Sequence, residues 1–273
     1  MDDYQKRKLP RADKELGQHF LKDINVIDTI TQDYEKQCDI IVEVGPGPAI
    51  LSEKLSLKEK PYYFIEKDER FREQLEKLTP VENQYFTDAL KFNWYEFIRE
   101  KRLENKKIWL VSNLPYNVSS PLFISFLQVP QIAFMSLMFQ KEVGEKTYLR
   151  QNTKNQMGSL LSLSLNYFNP KKLINVHPGA FHPPPKVESV VVSYERNKKP
   201  IVEISEFKAF ERFLRLTFSM KRKQLGSVYR SQLAKEKVEA LFQQSGIAST
   251  IRSEALEIKD INKLYEAFKE VNK

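Results

Sequence analysis

The stretch DIIVEVGPGPA, residues 39–49, decides the fold. Its apolar run Asp39 to Val44 ends at Gly-Pro-Gly, and a short apolar run bounded by turn residues is typical of a buried parallel strand. The glycines at positions 45 and 47 let the backbone approach a nucleotide-like ligand closely. A dinucleotide-binding fingerprint needs a third glycine where Ile50 stands, so this loop does not predict an NAD site.

Strands and helices alternate on the C-terminal side of this loop. The spacing of apolar residues predicts strands at 61–65, 84–86, 107–111, 133–138 and 189–194, and helices at 49–57, 68–78, 94–101, 121–127 and 158–167. Such alternation predicts an α/β fold with a mostly parallel, doubly wound sheet, whose ligands bind at the carboxyl ends of its strands.

The pattern changes after residue 197, where only helical spacing remains. Helices are predicted at 207–218, 233–245 and 261–272, with breaks at Gly226 and Gly246. We therefore predict two domains, a Rossmann-like domain over residues 1–197 and a small all-helical domain over residues 198–273.

Composition excludes several classes of protein. A chain of 273 residues with 41% hydrophobic and 29% charged residues is an ordinary globular protein. The single cysteine excludes an internal disulfide framework, and three scattered histidines predict no catalytic metal. The start of the sequence lacks the apolar core of a signal peptide, and polar residues and Pro130 interrupt the apolar run 121–139. These features predict a soluble cytoplasmic protein.

Positive charge is concentrated in the last third of the chain. The whole chain carries +8, and residues 196–273 hold 17 Lys and Arg against 10 Asp and Glu, a net +7. Within this region Lys221, Arg222 and Lys223 follow an apolar helix. Neighbouring residues of a helix are turned ~100° apart, so three adjacent cations suit a helix end or a loop better than one helix face. The pattern fits a surface against a polyanion such as RNA, or a solvated surface that favours solubility.

Two acidic residues follow the next predicted strands. Glu66 ends its strand 21 residues after Gly45, where it can accept hydrogen bonds from both hydroxyls of a ribose. Asp88 follows the third strand and can accept from an adenine amine. Each alone could equally be a solvated loop carboxylate, but together, at the ends of successive strands, they indicate a nucleoside site.

The most specific element is the sequence Asn113-Leu114-Pro115-Tyr116, which directly follows a predicted strand. The lone pair of an adenine N6 amine is delocalised into the ring, which makes the amine a poor nucleophile. Acceptors for its two hydrogens, the Asn113 side-chain oxygen and the Leu114 carbonyl, can localise that lone pair. Pro115 favours a rigid turn, and Tyr116 offers a face on which an extruded base can stack. The alternative interpretation is a simple turn with a buried tyrosine.

Five motifs in order resemble the ribosomal RNA adenine dimethyltransferase family. This family includes the small-subunit dimethyladenosine transferases and the Erm resistance methyltransferases. The resemblance spans about residues 16 to 260. The motifs are LGQHFL (16–21), EVGPG (43–47), NLPYN (113–117), QKEV (140–143) and FHPPPKVES (181–189).

The resemblance implies a class I methyltransferase domain and N6-dimethylation of two adjacent adenines near the 3′ end of 16S rRNA. The implied methyl donor is S-adenosylmethionine, without a metal. The implied partner is the assembling small ribosomal subunit, on which the protein acts as a cytoplasmic monomer in ribosome biogenesis. The segment FSMKRKQL, residues 218–225, is more similar to the small-subunit enzymes than to the Erm enzymes.

The resemblance also implies roles for individual residues. Phe181 would lie beside Tyr116 around the flipped adenine, although it could equally be a core aromatic. The cationic segment 221–223 would bind RNA. The implied donor site consists of His19, Leu21, Gly45, Gly47, Glu66, Asp88 and Asn113.

Some positions depart from the family pattern. Asn is common where His19 stands, Pro48-Ala49 replaces a further glycine, and Gly144 is expected to weaken its helix by ~1 kcal/mol relative to alanine. Two alternatives remain open. One is an Erm-type enzyme that acts on 23S rRNA and confers macrolide resistance, and the other is a non-catalytic assembly or transcription factor on the same fold.

Overall fold

The computed structural model describes residue 13, residues 17–220 and residues 222–272. Two compact units are present in this part of the chain. The first consists of the described residues up to Glu145 together with Pro170–Arg196, and the second of Lys146–Asn169 together with the described residues from Asn197 on.

The predicted domains, 1–197 and 198–273, differ from these units in one segment. Residues 146–169 were assigned to the first domain by the sequence, whereas the structure groups them with the helical unit. Hydrogen bonds explain this grouping, because Asn166 Nδ2 donates to the Val202 carbonyl at 2.9 Å and Asn166 Oδ1 accepts from the Val202 amide at 3.1 Å. A helix that precedes the boundary in sequence therefore belongs to the second unit.

Nine strands are found among the described residues. They are β1 (Phe20–Leu21), β2 (Ile40–Val44), β3 (Tyr62–Glu66), β4 (Gln84–Phe86), β5 (Ile108–Asn113), β6 (Ile132–Gln140), β7 (Phe168–Val176), β8 (Phe181–His182) and β9 (Ser189–Arg196). Seven of them form one sheet in the order β4-β3-β2-β5-β6-β9-β7, and β1 pairs with β8 in a separate antiparallel ribbon.

The order of the sheet strands reverses between β2 and β5. Strands β2 to β6 pair in parallel, and β9 is antiparallel to β6. Because β3 and β4 lie on one side of β2 while β5 and β6 lie on the other, a crevice opens at the carboxyl ends of β2 and β5. Gly45 follows β2 and Asn113 ends β5, so both residues lie at this switch point. The predicted fold, a mostly parallel α/β sheet with C-terminal helices, is confirmed.

Eleven α-helices occur in the same part of the chain. They are α1 (Ile24–Gln32), α2 (Ser52–Leu55), α3 (Arg72–Leu75), α4 (Trp94–Glu100), α5 (Ser119–Leu127), α6 (Lys141–Gly144), α7 (Ser159–Tyr167), α8 (Phe207–Thr217), α9 (Leu225–Arg230), α10 (Lys235–Ser245) and α11 (Ile258–Val271). None of the described helices is long and apolar enough to cross a membrane.

The helix predicted over 49–57 is shorter than expected. Helix α2 begins only at Ser52, because Gly45, Gly47 and Ala49 all have positive φ, at 69°, 53° and 63°. Left-handed residues cannot continue a right-handed helix. The loop therefore occupies the positions that the apolar spacing assigned to the first turn.

Buried aromatic rings hold the second unit together. Tyr265 of α11 contacts Phe210 and Phe213 of α8, with ring centroids 4.9 and 5.2 Å apart. Gly246 ends α10 in the left-handed conformation, with φ of 67°, as a glycine at a helix C-terminus commonly does. Gly226, in contrast, lies inside α9 and is not the break that the sequence predicted.

Candidate active site

A cleft opens at the carboxyl ends of the parallel strands in the first unit. Most of the predicted site residues line it, and Phe181 does not. The predicted residues along this cleft are His19, Leu21, Gly45, Gly47, Glu66, Asp88, Asn113, Leu114, Pro115 and Tyr116.

The glycine loop presents bare backbone to the cleft. A Cβ added at Gly45 would meet no heavy atom within 4 Å, and one at Gly47 would come no closer than 3.9 Å to Phe20. The space beside these two residues is therefore open to a ligand. Their positive φ values are costly for residues with a side chain, so the conformation favours glycine at both positions.

Glu66 joins the second strand of the site to this loop. Its Oε2 accepts a 2.8 Å hydrogen bond from the Gly47 amide, and its Oε1 accepts one of 2.7 Å from the Asp68 amide. Burial raises the pKa of Glu66, and these backbone donors act in the opposite direction. The Lys67 amide also acts on this carboxylate, which has about four lone-pair sites, so Glu66 retains acceptor capacity for a ribose hydroxyl.

Asp88 is a partly exposed acceptor at the rim of the cleft. Lys67 Nζ lies 2.9 Å from Oδ2, and the Leu90 amide donates to Oδ1 at 3.0 Å. These donors lower the pKa of Asp88, which keeps the group ionised. An ionised carboxylate can only accept hydrogen bonds, as recognition of an adenine amine requires.

The side chain of Asn113 has a defined orientation. Its Nδ2 donates a 3.0 Å hydrogen bond to the backbone carbonyl of His19. A carbonyl oxygen only accepts, so Nδ2 must face His19 and Oδ1 must lie on the other side of the amide. The following Leu114 amide donates to the Met138 carbonyl at 3.2 Å, which ties the turn to β6.

Tyr116 is held at both its hydroxyl and its ring. The hydroxyl shares a 2.7 Å hydrogen bond with Ser189 Oγ, and the ring stacks on that of His19 with centroids 5.3 Å apart. The side chain is half-buried, and this burial raises the pKa of Tyr116. The phenol therefore stays neutral at physiological pH.

Three predicted residues are not among those that line this cleft. Phe181 is 1% exposed and packs in the hydrophobic core, paired with Leu21 across β8 and β1. Its packing is that of a core aromatic, and its implied stacking role stays a prediction. Arg222 and Lys223 are exposed in the turn between α8 and α9 of the second unit. Lys221 and Leu16, which belong to the predicted motifs, lie outside the described residues.

The sequence analysis did not single out Glu43. This buried carboxyl lines the cleft near the carboxyl end of β2, and Tyr62 donates a 2.5 Å hydrogen bond to its Oε2. Burial raises the pKa of Glu43 to about 7. In the sequence, the one signal that could have identified Glu43 is an acidic residue within an otherwise apolar predicted strand.

Comparison with known proteins identifies the family. The family model described as ribosomal RNA adenine dimethylase matches residues 10–270. The chain belongs to the ribosomal RNA adenine dimethylase family. It is 36% identical over 269 residues to ribosomal RNA small subunit methyltransferase A of Clostridium botulinum, strain Okra, with 96% of this chain and 95% of that protein covered. Identity to the protein of the same name from Staphylococcus aureus, strain JH9, is 33% over 265 residues, covering 93% and 88%.

Solved structures agree with this dimethylase fold. A dimethyladenosine transferase from Plasmodium falciparum superposes with a TM-score of 0.76 at 25% identity and covers 93% of this chain and 98% of its own. The 23S rRNA methyltransferase ErmE gives a TM-score of 0.67 at 21% identity, covering 92% and 99%, and shows the fold alone.

The cleft fits the methyl donor of the family. Ribosomal RNA adenine dimethylases use S-adenosylmethionine, as predicted, and the enzyme class is confirmed with it. The open space beside Gly45 and the spare acceptor capacity of Glu66 suit a nucleoside with a free ribose. Among the described residues no group of three or more His, Cys, Asp or Glu could hold a metal ion.

Proposed function

We propose that this chain transfers methyl groups to the N6 amines of two adjacent adenines near the 3′ end of 16S rRNA in the assembling small subunit. One observation carries the proposal. The side-chain amide of Asn113, at the end of β5, has a defined orientation and lies in the same cleft as the glycine loop and Glu66. The two bacterial relatives, named ribosomal RNA small subunit methyltransferase A, support the choice of subunit. We further propose that the protein acts in the cytoplasm as a monomer.

The backbone and side chains of the cleft hold the donor. S-adenosylmethionine supplies an electrophilic methyl group on its sulfonium when it is bound. Gly45 and Gly47 admit the donor against the backbone, and Glu66 accepts from its ribose hydroxyls. Asp88 accepts from its adenine amine. The remaining residues proposed to border the donor are His19, Leu21 and Asn113.

The acceptor turn prepares the amine of the target base. Asn113 Oδ1 and the Leu114 carbonyl accept the two N6 hydrogens, which localises the nitrogen lone pair for attack on the methyl carbon. Hydrogen bonds that strengthen as the nitrogen becomes tetrahedral lower the barrier rather than only improving ground-state binding. Tyr116 stacks on the extruded base and limits its motion.

The reaction needs no general base in the acceptor turn. The bound donor would supply the methyl group to the nitrogen, and the protonated product amine would lose its proton to water. The turn from Asn113 to Tyr116 holds no histidine, lysine or carboxylate, which is consistent with this route.

The helical domain, proposed as residues 198–273, supplies the contacts to RNA phosphates. Its 16 Lys and Arg against 10 Asp and Glu give it +6 of the chain's net +8, and the exposed Arg222 and Lys223 contribute to this charge. Together with Lys221, these cations would bind the RNA backbone without reading its sequence.

Tritiated methyl transfer to purified, undermethylated small subunits tests the proposal, with large subunits assayed in parallel. The expected result is label in small-subunit RNA that nucleoside analysis recovers as N6,N6-dimethyladenosine. Label in 23S rRNA alone would identify an Erm-type enzyme. Binding to subunits without label would identify a non-catalytic assembly factor.

A further inference from the structure

His19 joins separate parts of the candidate active site. Its carbonyl oxygen accepts from Asn113 Nδ2 at 3.0 Å, and its Nδ1 lies 2.8 Å from the carbonyl oxygen of Pro183. Its ring stacks on Tyr116, with 29° between the two planes. The residue before β1 therefore contacts the acceptor turn and the loop before β9.

The orientation of both rings is fixed by hydrogen bonds to one segment. The Pro183 oxygen can only accept, so Nδ1 of His19 carries the proton. Tyr116 is bound through its hydroxyl to Ser189, six residues further along the same segment. Both side chains are thus tied to the segment between Pro183 and Ser189 by their polar atoms.

We propose that His19 is a positioning residue for the target adenine: its imidazole covers one face of Tyr116, and the adenine stacks on the other. This inference rests on the proposed function. A stacked ring restricts the tilt of its partner, and aromatic pairs favour a narrow range of arrangements. The resemblance placed Phe181 beside Tyr116, but Phe181 packs in the hydrophobic core. In this structure the ring of His19 stacks on Tyr116 instead.

Two substitutions of His19 separate its ring from its polar group. His19→Asn keeps a hydrogen-bonding side chain and the backbone carbonyl that orients Asn113, but it removes the ring. His19→Phe keeps the ring and removes the Nδ1 donor. His182→Asn is the matched control, because the His182 side chain is exposed and does not line the cleft.

The measurement is kcat on small subunits at saturating donor, together with the donor Kd from calorimetry. We expect His19→Asn to lower kcat roughly 2- to 12-fold, the rate equivalent of one aromatic pair, and His19→Phe to recover most of that loss. The control should match the unsubstituted chain. A purely structural defect would not be rescued by phenylalanine.

Three kinetic results would overturn the proposal. The first is a weaker donor Kd with unchanged kcat in His19→Asn, which would confine His19 to donor binding. The second is a phenylalanine variant as slow as the asparagine variant, which would show that an aromatic ring at position 19 does not carry the effect. The third is a faster His19→Asn enzyme, which would mean that the imidazole occupies the place of the base.

NMR of the histidine side chains tests the geometry without methyl transfer. The chain has only three histidines, so their ring signals can be assigned by substitution. We expect the Nδ1–H form for His19 and an upfield shift of its ring protons that Tyr116→Leu abolishes. Unshifted ring protons would overturn the role of His19 even in an active enzyme. Absence of methyl transfer would overturn the proposed function itself, and the adenine-positioning role with it.

Discussion

At the scale of single residues, the proposed reaction rests on the orientation of the Asn113 amide. Asn113→Ala removes the Oδ1 acceptor, which acts mainly as the amine becomes tetrahedral. We expect kcat to fall on the order of 10²-fold or more, while donor affinity changes less. Steady-state kinetics with a separate donor Kd measures both effects. Asn175→Ala, at an exposed position of β7, is the control. An unchanged kcat with a weaker donor Kd would show that Asn113 only lines the donor site.

Substitution of Glu66 tests whether donor binding and RNA binding are separate. Because its carboxylate also holds the Gly47 and Asp68 amides, Glu66→Gln is a milder test than alanine. We expect weaker S-adenosylmethionine binding by calorimetry and nearly unchanged affinity for small subunits in filter binding. Equal losses in both assays would mean that Glu66 serves the fold rather than the ribose.

Glu43 makes folding stability depend on pH. Its pKa is raised by burial to about 7 from the ordinary 4.5, so the folded chain binds this proton more tightly than the unfolded chain. The contribution of this proton to the free energy of unfolding is complete below the pKa of Glu43 in the unfolded chain. It is lost as the pH rises from that value to the pKa of the folded chain, by up to about 3 kcal/mol. Urea unfolding at pH 5 and pH 8 should show this loss, and Glu43→Gln should reduce it. An equal pH dependence in Glu43→Gln and in the exposed control Glu104→Gln would contradict this interpretation.

At the scale of elements, helix α6 requires glycine at its last position. The sequence predicted only that Gly144 weakens the helix, but the structure shows that an added Cβ would overlap Val190 Cγ1 of β9 and lie 3.3 Å from Phe139 Cβ. Gly144→Ala should therefore destabilise the fold by about 1–3 kcal/mol in urea unfolding, as overpacking does. Gly179→Ala, which meets no atom within 4 Å, should change stability far less. Equal stability of the two variants would show that the α6–β9 packing relaxes freely.

Elements with an unbroken local pattern could be predicted from the sequence. Strands β2, β3 and β5 are apolar runs that are buried throughout or nearly so, and each was predicted within about two residues. Strand β7 was missed, because Pro170 and the exposed Lys171 and Lys172 obscure the alternation, as is tolerated at the edge of a sheet.

The site could be predicted only in part, for the same reason. Residues that follow strand ends, such as Glu66 and Asn113, lie where the alternation of elements predicts. The stacking of His19 on Tyr116 could not be predicted, because it depends on the pairing of β1 with β8, about 160 residues apart. Helix α1 was missed as well, because β-branched residues dominate it and only the Asp23 cap marks its start.

At the scale of the whole molecule, positive charge is concentrated in residues 196–273, which we propose bind RNA. Changing Lys221, Arg222 and Lys223 together to alanine should weaken subunit binding strongly at low salt. The slope of log affinity against log salt should flatten by about 0.7–0.9 for each phosphate that the variant no longer neutralises. Donor binding should barely change. Filter binding over a series of salt concentrations measures the slope, and an unaltered slope would mean that the cluster is a solvated charge run.

Mass mapping of the reaction products tests whether the enzyme dimethylates two adjacent adenines in small-subunit RNA. Undermethylated 16S and 23S rRNAs in their subunits are incubated with the enzyme and donor, digested, and each methylated adenine is located. We expect four added methyl groups, two on each of two neighbouring adenines near the 3′ end of 16S rRNA, and none in 23S rRNA. Methyl groups found only in 23S rRNA, or at a single isolated adenine of 16S rRNA, would contradict it.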